Sequence, residues 1–151
     1  MRMKLSIVVF LAAVAAASLS AHVMVSPTQS KAGATQKYQL RVHNEAKVAA
    51  TSIDLEIPGG VAVSEIAKTA NGTFTTQKAG DRITVITWTI DVQPNKYVAL
   101  PFTAQNPSGQ AELHWNIREH LADGSTVNWS DKQGAEETGS VTTLTPSAIV
   151  F

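Results

Sequence analysis

Beyond residue 22, apolar residues recur at every second position, as in Tyr38-x-Leu40-x-Val42, Ile53-x-Leu55-x-Ile57 and Leu113-x-Trp115-x-Ile117. A period of two places these side chains on one face of an extended chain, so each segment predicts a half-buried strand. Further strands are expected over roughly 23–26, 61–66, 72–78, 82–91, 96–104, 125–130 and 138–145. Turn-forming residues separate them: Lys31-Ala32-Gly33, Pro58-Gly59-Gly60, Asn71-Gly72, Gly80-Asp81, Gln93-Pro94-Asn95, Asn106-Pro107-Ser108-Gly109 and Asp123-Gly124. About nine short strands without a convincing helix predict one all-β domain, an antiparallel immunoglobulin-like β-sandwich.

Two places break the alternation. Ile83 and Val85 fall on one parity and Ile86, Trp88 and Ile90 on the other, which predicts a bulge near Ile86. Pro101 interrupts the apolar run from Tyr97 to Phe102. Because proline cannot donate to a ladder, this segment is expected at an edge or where a strand switches sheets.

The first 21 residues follow a different rule. A basic start (Arg2, Lys4), an apolar run from Leu5 to Ala17 and the small stretch Ser18-Leu19-Ser20-Ala21 read as a cleavable secretory signal. The apolar run is shorter than the ~20 residues that cross a bilayer comfortably. The mature domain is therefore expected to span 22–151, without a membrane anchor, in the periplasm or outside the cell. Removal of Arg2 and Lys4 leaves 10 basic against 12 acidic residues, a formal charge of −2. That balance offers no basic footprint for nucleic acid or an anionic membrane. There is no cysteine, so disulfides and thiolate metal sites are excluded and packing alone must supply stability.

Cleavage after Ala21 makes His22 the first residue. A histidine at a free terminus supplies two nitrogens at once, the α-amine (pKa near ~8) and an imidazole nitrogen (near ~6.5), both deprotonated at little cost around neutral pH. Such nitrogen-rich sites favour Cu(II) among divalent first-row ions. Cleavage after Ser20 would instead leave an Ala-His start, which binds Cu(II) through amine, amide and imidazole nitrogens in a different geometry. In His22-Val23-Met24-Val25, the two valines are expected to face inward and His22 and Met24 the other way, which puts Met24 near a metal at His22 or leaves it an ordinary partly packed thioether.

Several stretches, in their order and spacing, resemble the YcnI-like copper-binding domains, a family formerly described as a domain of unknown function. They are Ala21-His22-Val23-x-Val25-Ser26-Pro27, Lys31-Ala32-Gly33, Tyr38-x-Leu40-Arg41-Val42-x-Asn44-Glu45, Thr51-x-Ile53-x-Leu55-x-Ile57-Pro58, Ile86-Thr87-Trp88, Phe102-x-Ala104-x-Asn106-Pro107, Trp115 and Asp123-Gly124-Ser125-x-Val127-x-Trp129. The resemblance covers nearly the whole mature chain. It implies an exported sandwich that holds Cu(II) through a single-histidine brace at His22, with a carboxylate and a tryptophan nearby.

The tryptophan of the closing motif is Trp129, whose indole could exclude water and offer its π-face to the ion. On its residues alone, Trp129 reads as a core or cover residue of the sandwich. The carboxylate is open, because the turn that usually carries an acid in the family reads Pro94-Asn95-Lys96-Tyr97 here. Glu112 is the first candidate, since it alternates away from Leu113, Trp115 and Ile117 and stays off the core face. The chain also departs from the family at Arg118 and Leu121, where aromatic residues are usual.

His114 shares the off-core face with Glu112, and His120 lies near the Asp123-Gly124 turn, so either could add a nitrogen or be an ordinary surface histidine. His43, beside Asn44-Glu45, reads as structural or solvent-facing. Serines and carboxylates lie at spacings that make no nucleophilic triad. These residues lead to a non-catalytic carrier that captures, buffers or delivers Cu(II), exchanging it with a copper transporter or a second copper carrier. A copper oxidase or monooxygenase would need a second histidine nitrogen, and a metal-free adhesive sandwich would make His22 a by-product of processing.

Overall fold

The computed structural model describes residues 23–131, 135 and 137–147; the expected leader 1–21 and His22 lie outside them. In chain order the strands are β1 (Val23–Ser26), β2 (Gln29–Lys31), β3 (Thr35–His43), β4 (Ala50–Glu56), β5 (Ala62–Ile66), β6 (Gly72–Ala79), β7 (Arg82–Val92), β8 (Tyr97–Gln105), β9 (Glu112–Leu121), β10 (Thr126–Trp129) and β11 (Ser140–Thr145). They form two sheets. One runs β1-β3-β8-β5, and the other β2-β11-β9-β4-β7-β6, with β10 paired to the end of β9 that β11 leaves open.

Alternation dictates the layering. Val23, Val25, Tyr38, Leu40, Val42, Leu100, Phe102 and Ala104 point inward from the smaller sheet, and Ile53, Leu55, Ile86, Trp88, Leu113, Trp115 and Ile117 from the larger one. At the centre Tyr38, Phe102 and Trp115 pack with ring centroids 5.2–5.7 Å apart, a spacing at which offset and edge-on aromatic pairs attract. The Trp115 indole N–H donates to Thr142 Oγ1 (3.0 Å), whose hydroxyl donates to Pro27 O (2.9 Å), so burying this polar group leaves no donor unpaired.

Three features differ from the pattern. The register of β6 on β7 slips between Ile83 and Val85, so the irregular residue is Thr84, two positions before Ile86. Strand β2 escaped the alternation because Gln29-Ser30-Lys31 buries only Ser30, and it pairs with β11 in parallel within an otherwise antiparallel set of ladders. Pro101 lies in β8 opposite Gln39 of β3. Its carbonyl accepts from Ala67 N on the other side, just past the last β5 partner. β8 is thus an interior strand between β3 and β5 and not the expected edge, and the proline is tolerated because its missing N–H faces the side where the β5 ladder has ended.

One end of the sandwich is closed by Asn44, which is fully buried. Its side-chain amide donates to Val48 O (2.9 Å) and Val92 O (2.8 Å), and its Oδ1 accepts from Ala46 N (2.9 Å). Its backbone N donates to Lys96 O (3.0 Å) and its carbonyl accepts from Asn95 N (2.6 Å). One residue therefore joins the turn after β3 to the turn before β8. Replacing Asn44→Ala strands several of these buried groups and should lower the unfolding free energy by about 1–3 kcal/mol, read from urea denaturation. A change within roughly 0.5 kcal/mol would mean the side-chain bonds contribute little.

Candidate metal centre

Strand β1 brings the start of the described chain to this same end. Val25 N donates to Ser140 Oγ (2.9 Å), and Ser140 lies opposite Trp115 on β9. From there, β1 read backwards and β3 read forwards advance together, through the pairs Val25↔Leu40 and Val23↔Val42. Both arrive where Asn44 meets Val92 and where Ala50 pairs with Val92 and Leu121. The residues of β9 at that end are Ile117, Glu119 and Leu121.

Glu119 breaks the alternation rule. It shares the inward parity of Leu113, Trp115 and Ile117 and is only 3% exposed. Burial raises its pKa, opposed by the adjacent Trp129 indole and the nearby His43 imidazole. Its Oε1 is buried with no hydrogen-bond partner among the described residues. Trp129 pairs with Ile117 and is itself buried, which puts its ring on the inner face beside Glu119. A buried acceptor lacking a donor is costly, and an ion brought to Oε1 would offset that cost.

His43 stands on the opposite sheet at the same end. Its ring stacks on Tyr97 with centroids 4.1 Å apart and planes 6° from parallel. Nε2 donates to Asn95 Oδ1 at 3.0 Å, and Nδ1 faces Glu45 Oε1 at 3.5 Å. Asn95 has a left-handed φ of 63°, a conformation asparagine tolerates better than most residues, and its bond to Asn44 O holds it there.

The remaining candidates are elsewhere. Glu112 is exposed on the outer face of the larger sheet, so it and Trp129 lie on opposite faces and are not brought together. There it meets His114 Nε2 at 3.0 Å, while His114 Nδ1 bonds Asp131, chiefly responsible for raising the His114 pKa. His120, on the same outer face, pairs through Nε2 with Asp54 Oδ2 at 2.8 Å and through Nδ1 with Thr126 Oγ1 at 3.2 Å. Met24 is half-buried opposite Arg41, on the parity away from Val23 and Val25. Among the described residues, no group of three or more His, Asp or Glu side chains is placed to hold an ion. Glu119 was missed because acidic residues were sought off the core face; its signal is the acid that continues Leu113-x-Trp115-x-Ile117 in phase.

The family model described as "Domain of unknown function (DUF1775)" matches residues 22–150. The chain belongs to the DUF1775 family. It is 30% identical over 132 residues to a Bacillus subtilis (strain 168) protein named "Copper-binding protein CutI", with 85% of this chain aligned, and spans 65% of that relative's length. Among solved structures, this DUF1775 domain is similar to an uncharacterised Nocardia farcinica protein with an immunoglobulin-like fold. The TM-score is 0.72 at 20% identity, covering 83% of this chain and 99% of the other. A cohesin from Pseudobacteroides cellulosolvens gives a TM-score of 0.50 at 16% identity, covering 85% and 94%. The DUF1775 domain is thus an immunoglobulin-like sandwich, and among its described residues no helix is long and apolar enough to cross a membrane.

The setting of Glu119 predicts a pH signature. Its folded pKa lies above its ordinary value of 4.5, so the folded chain keeps the proton longer than the unfolded chain. Stability from this group is full at low pH and declines as pH rises through the folded pKa. Replacing Glu119→Gln removes that decline. In metal-free protein, the melting point of the variant relative to the parent should climb from about pH 4 to about pH 7. A difference constant across that range would contradict a raised pKa at Glu119.

Proposed function

We propose that this chain is exported, loses residues 1–21, and binds Cu(II) through the amine and imidazole of His22. The 30% identity to a Bacillus subtilis protein named as copper-binding supports copper. The observation that carries the reading is the buried, unpartnered Glu119 Oε1 beside Trp129, at the end of the sandwich where β1 begins. A first residue joined to Val23 has its Cα about 3.8 Å from that of Val23, and Val23 lies opposite Val42 at this end of the β1–β3 ladder.

The donor set suits the ion. Two nitrogens from His22 and a carboxylate oxygen make the mixed N,O environment that Cu(II) takes in tetragonal form. Glu119 replaces Glu112 as the proposed carboxylate, because it shares the inner face with Trp129. The indole would cover the ion, exclude water and hold the carboxylate by its N–H. A buried anion next to a covering aromatic ring favours retention of a cation over turnover at an open coordination position. The chain is therefore proposed as a non-catalytic protein of copper capture, buffering or delivery outside the cytoplasmic membrane, exchanging Cu(II) with a transporter or a second carrier.

Protein beginning at His22 should bind Cu(II) orders of magnitude more tightly than protein carrying one extra glycine before it, in competition titrations against a chromophoric chelator. Equal affinities would show that the amine is not a ligand and would overturn the brace. At 100 times the dissociation constant, Cu(II) should stabilise the first sample by about 2.7 kcal/mol.

A further inference from the structure

We propose that strand β6 is a self-association edge: two copies of this chain pair antiparallel through it, about a two-fold axis at Thr75, and so extend the larger sheet across a dimer. The proposal does not depend on the copper reading. The first argument is how the other edges are defended. A sheet edge offers a row of backbone N–H and C=O groups to any passing strand, and folded proteins blunt such edges by shortness, charge, proline or a bulge. The smaller sheet ends in β1 and β5, the larger in β2 and β6. Among the described residues, β1 is four residues long and followed by Pro27, and β2 is three residues long and closed by Lys31. In β5 the register on β8 shifts between Val63 and Glu65, so an irregularity at Ser64 and a charge at Glu65 interrupt it. β10 is four residues long and meets Glu137 through Trp129.

β6 carries none of these devices. It is eight residues long, Gly72-Thr73-Phe74-Thr75-Thr76-Gln77-Lys78-Ala79, and pairs with β7 alone among the described residues. It has no proline, its single charge is Lys78 near one end, and the slip in its ladder is on the β7 side, at Thr84. Threonine and phenylalanine favour strands, and most side chains of β6 are exposed. The second argument is Phe74. It lies opposite Trp88, on the inward parity of the buried Ile86, Trp88 and Ile90, yet it is 39% exposed. β5, the last strand of the smaller sheet, packs over β7 and leaves the inner face of β6 partly open.

The third argument is that β6 complements itself. Closed homodimers are most often two-fold. With Thr75 facing Thr75 of the other copy, Phe74 faces Thr76, Thr73 faces Gln77 and Gly72 faces Lys78. Every facing pair then has matching parity, so the inner faces of both copies stay on one side of the extended sheet. Phe74 packs on Thr76 of the other copy, an aromatic and β-branched pair of the kind that stabilises sheets, and reaches the other Phe74 on the diagonal. Like charges do not meet. Each Lys78 faces a glycine, and the two Lys78 residues are about 20 Å apart along the strands, beyond the Debye length at physiological salt. The register also serves whichever alternate set of N–H and C=O groups points outward, because an antiparallel axis passes equally through a hydrogen-bonded or a non-hydrogen-bonded pair. A single strand pair is a small contact for a dimer, so the association is weak and grows with concentration.

The test follows metal-free protein beginning at His22 by sedimentation velocity from about 1 µM to about 1 mM, the range that reports a weak dimer. The parent should pass from monomer to dimer. Thr75→Lys sets like charges opposite one another at the axis and should weaken association at least tenfold. Thr75→Glu should do the same, and an equimolar mixture of the two variants should restore it. Urea unfolding establishes that both are folded. Because the chain has no cysteine, Lys78→Cys carries one spin label, and pulsed electron paramagnetic resonance should find the labels of the dimer roughly 20 Å apart. A parent that stays monomeric overturns the proposal, as does a dimer that neither Thr75 variant weakens. A mixture that fails to associate, or a label separation beyond about 35 Å, overturns the pairing at Thr75.

Discussion

Placing a carboxylate on the inward face of β9 asks more of this fold than any other choice in its core. Every neighbour in phase with Glu119 is apolar: Leu113, Trp115, Ile117 and Leu121. Burial disfavours the charged form, and the groups that favour it, the Trp129 indole and the His43 imidazole, come from opposite sheets. The end of the sandwich is consequently organised around one group. β10 is positioned to bring Trp129 against it, and the turn after β3 brings His43 towards it. The Asn44 amide, bound to Val48 O and Val92 O, locks that turn so the arrangement does not relax into solvent. Buried polar groups this poorly satisfied are uncommon outside functional sites.

The two sheets divide the chemistry of the chain in a consistent way. The outer face of the larger sheet carries Glu112, His114, Arg118, His120 and Asp54, where His114 pairs with Glu112 and Asp131, and Asp54 pairs with Arg118 and His120. Pairs so exposed contribute little to stability and leave their imidazoles engaged. The other end carries fewer charged groups, and the polar side chains around Glu119 are held in place. Glu119 is buried, His43 is stacked on Tyr97, and Asn95 is bound through its backbone to Asn44. For binding an ion this preorganisation matters more than the number of ligating residues on a surface.

How much was legible in the sequence follows the same divide. Alternation identified the sandwich and every strand except β2, whose three polar residues offer no apolar period. It placed the bulge two residues late, since Thr84 itself is half-buried and gives no parity signal of its own. The same rule governed the choice of carboxylate. An acid is expected off the core face because burying it is unfavourable, and that logic selects Glu112, which proves to be an exposed partner of His114. The proposed carboxylate, Glu119, instead violates the local rule, as functional positions can.

The central claim is where the metal sits. Anomalous diffraction at the copper edge, from crystals of Cu(II)-loaded protein beginning at His22, locates it directly. The account predicts one peak at the end of the sandwich where β1 begins, against the residue preceding Val23 and beside Glu119 and Trp129. A peak on the outer face between Glu112, His114 and Asp131 would contradict it.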